Sequence, residues 1–315
     1  MGRVYTDEEL EELKNKDKYK YKSDLESQEQ LKNESKNDTI KTYEEKVIEL
    51  QNILANINET RRINFGLNLS KKQDIINTSF FNFAYSVDLK KIDNKIIDVI
   101  IQDYKNLSNE YYSTLNRIGV FSEEELYISP KAGGITRVLP KTLSGEIHFN
   151  QKIMDDLDYL DKVVEHNIKI KHFANVNSEN YKSYISTHEF AHSIFNSDML
   201  NKNLIGMDSK VYKNFSVELE DMFKEYKNKI NEIDARIKEL NNKFLFNTEK
   251  YTSEDRDLLK KLKQEYNEIF VSNYAIRDNL SDEFMAECFT EAKLSKNPSK
   301  TSRKVLELID KYFKR

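Results

Sequence analysis

Helix-breaking residues are scarce in this chain and unevenly placed. The 315 residues include only 7 glycines and 3 prolines. Gly2 and Gly66 alone precede Gly119, and the first proline is Pro130. Segments that lack these residues and are rich in Lys, Glu, Leu and Ile favour helices. The sequence therefore predicts a mainly helical chain before residue 119, with a different structure where Gly and Pro cluster.

Apolar residues at helical spacing locate the first helices. The apolar positions between Val47 and Ile57 predict a helix over residues 42–62. A second helix is predicted over residues 93–118, with Gly119 as its C-cap. Residues 1–38 are almost entirely polar, so they form either a solvated helix or a disordered arm, and we favour the arm.

The later part of the chain adds strands and a helical hairpin. Three short β-prone runs at 126–128, 135–139 and 146–149 are separated by Gly and Pro, which predicts a small sheet of about three or four strands. Apolar residues repeating every three or four positions over about 211–273 predict an antiparallel helical hairpin. The predicted fold class is α+β, mainly α, with a helical N-terminal region at 1–92 and a catalytic domain at 93–315.

Charge and composition exclude several classes of protein. Acidic residues number 54 and basic residues 50, which gives a net charge of −4 with both signs interleaved, so we expect no nucleic-acid partner. No apolar run is long enough to span a membrane, and the first residues contain no secretory signal. Cys288 is the only cysteine, so no intramolecular disulfide forms. We expect a cytoplasmic location, with association with a virion as an alternative.

The motif from His188 to His192 has the pattern HExxH. Residues one helical turn apart lie on one face, so both imidazoles can reach the same metal ion. Zinc bound in this way lowers the pKa of a bound water to about 7, and Glu189 would remove its proton as the general base. The alternative is two packed or solvated histidines beside a surface glutamate. Asn177 or Ser178 is a candidate N-cap for this helix.

A third protein ligand is required at a catalytic zinc site of this type. The segment 281–291 offers Glu283 and Glu287 on one helical face, with Ser281 as a candidate N-cap. One carboxylate can bind the metal while the other supports a histidine from behind. The alternative is an amphipathic helix with solvent-facing glutamates. Cys288 is expected in the core rather than at the metal.

The two motifs, HEFAH at 188–192 and DEFMAECF at 282–289, resemble those of the anthrax-lethal-factor-like zinc metallopeptidases, which read HEFGH and EFFAEAF. Similar domains occur in phage minor head (head morphogenesis) proteins. The resemblance covers residues 100–315 and implies a zincin-like domain that binds Zn²⁺ through His188, His192 and Glu283. It also implies that Glu287 is a neighbouring support residue.

The same resemblance implies a tyrosine that stabilises the transition state. Tyr274 precedes Glu283 by nine residues, a slightly longer gap than the family pattern, and Tyr266 is the weaker alternative. A phenol hydroxyl can donate a hydrogen bond to a developing oxyanion.

Zincins generally pair an extended substrate with an edge strand above the metal-binding helix. That strand would be either the one with Gly133, Gly134 and Ile135 or the run at 146–149. The two glycines either leave room for close backbone approach or form an ordinary turn. No role is assigned to the lone His148.

We therefore expect a zinc endopeptidase acting on a protein or peptide. The alternative is a phage head-assembly or virion structural protein that uses its N-terminal helices and hairpin as interaction surfaces. A toxin-like secreted peptidase is a third interpretation. The sequence has no P-loop, dinucleotide fingerprint or nucleophile elbow.

Overall fold

A computed structural model describes residues 41–64, 86–113, 115–121, 133–139, 144–205, 210–277 and 280–315. The described residues from Tyr43 to Arg315 belong to one compact unit. They are mainly helical and include one four-stranded mixed sheet, which confirms the predicted α+β, mainly α fold class. The predicted arm at 1–38 and the predicted strand at 126–128 lie outside the described residues. The domain boundary at residue 92 stays a prediction.

The helices and strands alternate in the first half of the unit, and helices dominate the second. The helices are α1 (Tyr43–Asn64), α2 (Asn94–Glu110), α3 (Gln151–Met154), α4 (Leu157–Lys169), α5 (Tyr184–Ile205), α6 (Lys210–Phe246), α7 (Ser253–Ile269), α8 (Tyr274–Arg277), α9 (Ser281–Leu294) and α10 (Lys300–Phe313). The strands are β1 (Ser86–Val87), β2 (Leu115–Phe121), β3 (Gly134–Leu139) and β4 (Ser144–Asn150). Two 3₁₀ turns span Ser178–Ser183 and Thr248–Lys250.

The strand order of the sheet is β1-β2-β4-β3, so β3 lies at one edge. β1, β2 and β4 are parallel, and β3 runs antiparallel to β4 with Thr136 opposite Ile147. Ile147 and Phe149 are buried in the core. On the opposite face, Glu146 contacts Arg117 at 2.7 Å and His148 at 3.2 Å. The sheet therefore has one apolar face, which packs on α5, and one polar face.

The helix predicted over 93–118 is confirmed as far as residue 110 and is wrong beyond it. α2 ends at Glu110, and residues 115–121 form β2 instead. At Tyr111 the backbone turns extended, the ring packs on Phe289 at 5.3 Å, and the hydroxyl donates to Asp310 at 2.6 Å. These contacts with α9 and α10 end the helix. Gly119, the predicted C-cap, lies within β2, where a Cβ would come 3.0 Å from His148 Nδ1.

The predicted hairpin at 211–273 is confirmed as α6 and α7, which pack against each other, while α6 also packs against α9 and α10. A capping box starts α7, because Thr252 and Asp255 each accept a hydrogen bond from the other's backbone N–H. Lys243 near the end of α6 contacts Asp255 at 2.5 Å. At the other end of the hairpin, the Val271 N–H donates to the Tyr226 hydroxyl at 3.1 Å. Polar contacts at both ends therefore fix the register of the two helices.

One continuous hydrophobic core joins α1, α2, the sheet and the C-terminal helices. In α1, Leu50 and Leu54 are fully buried against this core. The α10 residues Val305 and Ile309 are also fully buried, beside α9. Helices α5 and α9, which carry the motifs at 188–192 and 282–289, pack directly against each other in this core. Among the described helices, none is both long and apolar enough to cross a bilayer.

Candidate metal centre

The HExxH motif lies in the first turns of α5. A 3₁₀ turn at Ser178–Ser183 occupies the predicted start near Asn177, and α5 follows from Tyr184. The spacing of four residues places His188 and His192 on one face, with their Nε2 atoms 3.2 Å apart. His188 and Glu189 are buried at 8% and 5% exposure. The motif therefore points into the protein rather than into solvent.

Glu283 approaches the two imidazoles from α9. Its Oε2 atom lies 3.3 Å from His188 Nε2 and 3.4 Å from His192 Nε2. Ligand atoms of these three residues all lie within 4.8 Å of one another. The structure thus brings together residues that are far apart in the sequence. The predicted N-cap Ser281 is instead the first residue of α9, after Leu280.

The three donor atoms have the spacing that a tetrahedral metal requires. Zn–N and Zn–O bonds of about 2.0–2.2 Å at tetrahedral angles separate the donors by roughly 3.3–3.5 Å. The observed separations are 3.2, 3.3 and 3.4 Å. Glu283 Oε2 is buried and has no hydrogen-bond partner among the described residues. A cation between the three donors would satisfy this oxygen, so the residues fit a bound metal.

Charges within the site shift the protonation of the donors. Burial acts to lower the pKa of His188, but the carboxylates of Glu283 and Glu287 outweigh it and raise that pKa well above its ordinary value. Burial acts to raise the pKa of Glu283, but the two imidazoles hold it well below its ordinary value. Glu283 is therefore ionised at neutral pH, as a metal ligand must be.

Glu287 lies behind His188, on the side away from Glu283. Its Oε1 atom is 3.2 Å from His188 Nδ1, although the pair lacks hydrogen-bond geometry. The carboxylate is fully buried and accepts hydrogen bonds at 2.8 Å from the Tyr184 hydroxyl and the Ala174 N–H. These two donors fix the carboxylate, so its negative charge faces Nδ1 and favours a proton there. The Nε2 lone pair then faces the other donors.

Glu189 lies beneath β3 rather than among the metal donors. The Thr136 hydroxyl is 2.6 Å from Glu189 Oε2 and 3.0 Å from the Glu189 carbonyl oxygen. A Cβ at Gly134 would come within 2.7 Å of the Glu189 side chain, and a Cβ at Gly133 within 2.5 Å of Ile185. Both glycines therefore allow β3 to approach α5 closely.

The backbone of β3 has an open side within the described part of the chain. The Asn150 N–H donates to the Gly133 carbonyl at 2.9 Å, and Ile135 pairs with His148. Alternation along an antiparallel strand then directs the backbone groups of Gly134 and Thr136 away from β4. The side chain of Ile135 lies on the sheet face opposite Thr136. Substrate binding by Gly133, Gly134 and Ile135 stays a prediction.

Tyr274 lies close to the metal donors. Its ring is 6.0 Å from that of His188 and 5.2 Å from that of His172. Burial raises the pKa of Tyr274 well above its ordinary value, and the nearby charge of Glu283 acts in the same direction. The phenol is therefore a proton donor at every physiological pH. Tyr266, the alternative, stacks on Phe270 at 4.9 Å in α7.

Sequence reasoning missed Thr136 and the hydrogen-bonding role of Tyr184. Tyr184 precedes His188 by four residues, so helical spacing placed it on the metal face without revealing its bond to Glu287. Thr136 follows Gly134 by two residues, so alternation would place both on one strand face. Which face meets α5 depends on how the sheet packs, and no local pattern gives that.

Comparison with known proteins gives no match to a protein-family model, to a curated protein or to a solved structure.

Proposed function

We propose that this protein is a zinc-dependent endopeptidase, related to the lethal-factor-like peptidases that its two motifs resemble. The convergence of His188, His192 and Glu283 at donor spacings of 3.2–3.4 Å carries the proposal. Neutral imidazole and carboxylate form a donor set used by catalytic zinc sites with three protein ligands. When bound, zinc supplies a Lewis acid that polarises a carbonyl and makes water a nucleophile near neutral pH.

The residues around the donors have separate roles in this proposal. Glu189 accepts the proton of the attacking water and passes it to the leaving amine. Glu287 keeps the Nδ1 proton of His188 in place. Tyr274 donates a hydrogen bond to the oxyanion that forms on the substrate carbonyl.

Binding of an extended peptide fits the open side of β3. Backbone groups of Gly134 and Thr136 would pair with the substrate main chain, which gives affinity with little side-chain selectivity. We also propose a cytoplasmic location, because a chain with one cysteine has no intramolecular disulfide to maintain.

Metal content and peptide cleavage test this function together. Purified wild type is expected to contain about one zinc per chain by elemental analysis, and His188→Ala is expected to lose it. Glu189→Gln is expected to retain zinc and to lose cleavage of fluorescein-labelled casein. His166→Ala, which removes an exposed histidine of α4, is the matched control and should behave as wild type. Wild type without stoichiometric zinc, or Glu283→Ala with full zinc, would refute the assignment.

A further inference from the structure

The edge strand β3 contacts the proposed general base through two neighbouring positions. Gly134 and Thr136 are two residues apart, so both lie on the strand face that meets α5. At Gly134 the missing side chain leaves the space that the Glu189 carboxylate fills, because a Cβ there would lie 2.7 to 2.8 Å from its Cγ, Cδ and Oε1 atoms. β3 therefore has a recess above Glu189.

Thr136 supplies a donor at the side of this recess. Its Oγ1 atom is 2.6 Å from Glu189 Oε2 and 3.0 Å from the Glu189 carbonyl oxygen. A hydroxyl has only one proton to donate. The carboxylate oxygen is both closer and the stronger acceptor, so Thr136 donates to Glu189 Oε2 rather than to the carbonyl oxygen. Among the described residues, this is the only hydrogen bond to the Glu189 carboxylate. Glu189 is buried and Thr136 is half-buried, and a hydrogen bond to a carboxylate is stronger in such surroundings than in bulk water.

We propose that Thr136 is a positioning residue that orients the Glu189 carboxylate toward the metal donors, with Gly134 providing the space. The proposal rests on the assignment of Glu189 as general base. A glutamate side chain has three rotatable bonds, and Gly134 alone limits its position on one side only. The hydrogen bond from Thr136 fixes the remaining freedom before substrate arrives.

Thr136 also connects the orientation of Glu189 with the open edge of the sheet. Its side chain points to Glu189, while its backbone groups point away from β4. A peptide paired with β3 would therefore contact the same residue that orients the base. The distance between the base and the scissile bond would then be set by one rigid strand.

Two substitutions at Thr136 separate its hydroxyl from its volume. Thr136→Val keeps the shape and β-propensity but removes the donor, and Thr136→Ser restores the donor without the methyl group. Thr301→Val on α10 is the matched control, since it also removes a threonine hydroxyl that donates a hydrogen bond, here to the Ile269 carbonyl at 2.7 Å. All variants are made in the full chain.

Two measurements are made on each variant. Crystal structures of the metal-free and zinc-loaded forms report the position of the Glu189 carboxylate. Cleavage of fluorescein-labelled casein reports kcat and KM, with zinc content and melting temperature measured in parallel. We expect Thr136→Val to displace the carboxylate and to lower kcat by about 10- to 100-fold at unchanged KM, the range for losing a hydrogen bond to a charged group. We expect Thr136→Ser and Thr301→Val to match wild type in both measurements.

The two readouts distinguish failure of this inference from failure of the proposed activity. A Glu189 carboxylate that keeps its place in Thr136→Val overturns the positioning role, whatever the activity. So does equal loss of kcat in Thr136→Val and Thr136→Ser. If wild type binds zinc but leaves casein intact, the peptidase assignment is in question, and the crystal structures still decide the role of Thr136.

Discussion

Three carboxylates and two imidazoles share one small, largely buried space. Glu189, Glu283 and Glu287 bring three negative charges, and Glu287 is fully shielded from solvent. Burying a charge is costly unless it is paired or bound to a metal. Protonation of His188 compensates part of this charge, as its raised pKa indicates. A divalent cation bound here would compensate more of it and would also satisfy the Glu283 oxygen that has no hydrogen-bond partner among the described residues.

Tyr274 gives a prediction at the scale of one hydroxyl group. Tyr274→Phe removes the proposed oxyanion donor and leaves the ring contacts with His172 and His188. We expect kcat for casein to fall about 100-fold while KM and zinc content stay unchanged, since the hydroxyl acts mainly in the transition state. Tyr266→Phe is the control and should retain activity. Equal losses in the two variants would show that Tyr274 has no special role.

The candidate metal donors could be named from the sequence because part of their geometry is local. A spacing of four residues in a helix places two side chains together whatever the rest of the fold does, which holds for His188 with His192 and for Glu283 with Glu287. The need for a third ligand made the second pair a candidate, and the resemblance implied that Glu283 binds the metal and that Glu287 supports it. Thr136 lay beyond reach, because its contact depends on strand register and on which sheet face covers α5.

At the scale of elements, a side-chain contact ties α2 to the start of α5. Asp103 on α2 accepts hydrogen bonds from the Ser183 hydroxyl at 3.0 Å and from the Ser186 hydroxyl. Burial raises the pKa of Asp103 from 3.8 to about 6, although both serines and Lys182 act to lower it. The carboxylate fixes the turn from which the metal helix begins, at a cost in stability when it is ionised.

The sign of this cost predicts a pH dependence. Because the folded-state pKa of Asp103 lies above its unfolded value, the free energy of unfolding falls as pH rises from about 4 to 6 and then levels off. A pKa near 6 in the folded state, rather than 3.8, means that ionisation of Asp103 lowers the free energy of unfolding by about 3 kcal/mol. Asp103→Asn does not titrate, so its stability relative to wild type should improve by about 2–3 kcal/mol between pH 4 and pH 7. Urea unfolding at several pH values measures this difference.

The exposed Asp221→Asn on α6 is the control for this measurement, and its effect should not vary with pH. A constant difference between Asp103→Asn and wild type would contradict the assignment of the titration to Asp103.

Helices and strands were predicted correctly where the spacing of apolar residues fitted only one kind of secondary structure. The hairpin α6–α7 shows long helical periodicity, with apolar residues every three or four positions. The end of α2 was missed because apolar residues at 111, 115 and 118 continue the helical stripe. Residues 115 and 118 belong to β2, where most side chains are buried, so the apolar pattern there does not distinguish a strand from a helix. The contacts of Tyr111 with Phe289 and Asp310 decide the outcome, and they come from distant helices.

At the scale of the whole molecule, a bound metal would join two helices that the chain keeps far apart. His188 and His192 come from α5 and Glu283 from α9, and both helices are central to the core. A ligand that binds only the folded state stabilises it by an amount that depends on its concentration and affinity. The metal would therefore act as a structural link as well as a catalyst.

Removal of the metal is expected to lower thermal stability. Chelation of zinc-loaded protein should reduce the melting temperature by about 5–10 °C, which corresponds to roughly 3–4 kcal/mol of binding free energy at saturating zinc. Glu189→Gln should show the same reduction, because Glu189 lies outside the donor set. His192→Ala should show none. A chelator effect of equal size in His192→Ala would indicate that zinc stabilises the protein elsewhere.

The hairpin has a consequence for how this chain can vary. α6 follows the metal helix, and the segment after α7 returns to Tyr274 and Glu283. Extra helical turns added to both α6 and α7 would lengthen the hairpin while its two ends stay in place. The entropic cost of closing a longer connection grows only slowly with its length. The arrangement of His188, His192 and Glu283 can therefore stay the same while the hairpin becomes longer or shorter, which makes the tip of the hairpin a suitable place for grafting another segment.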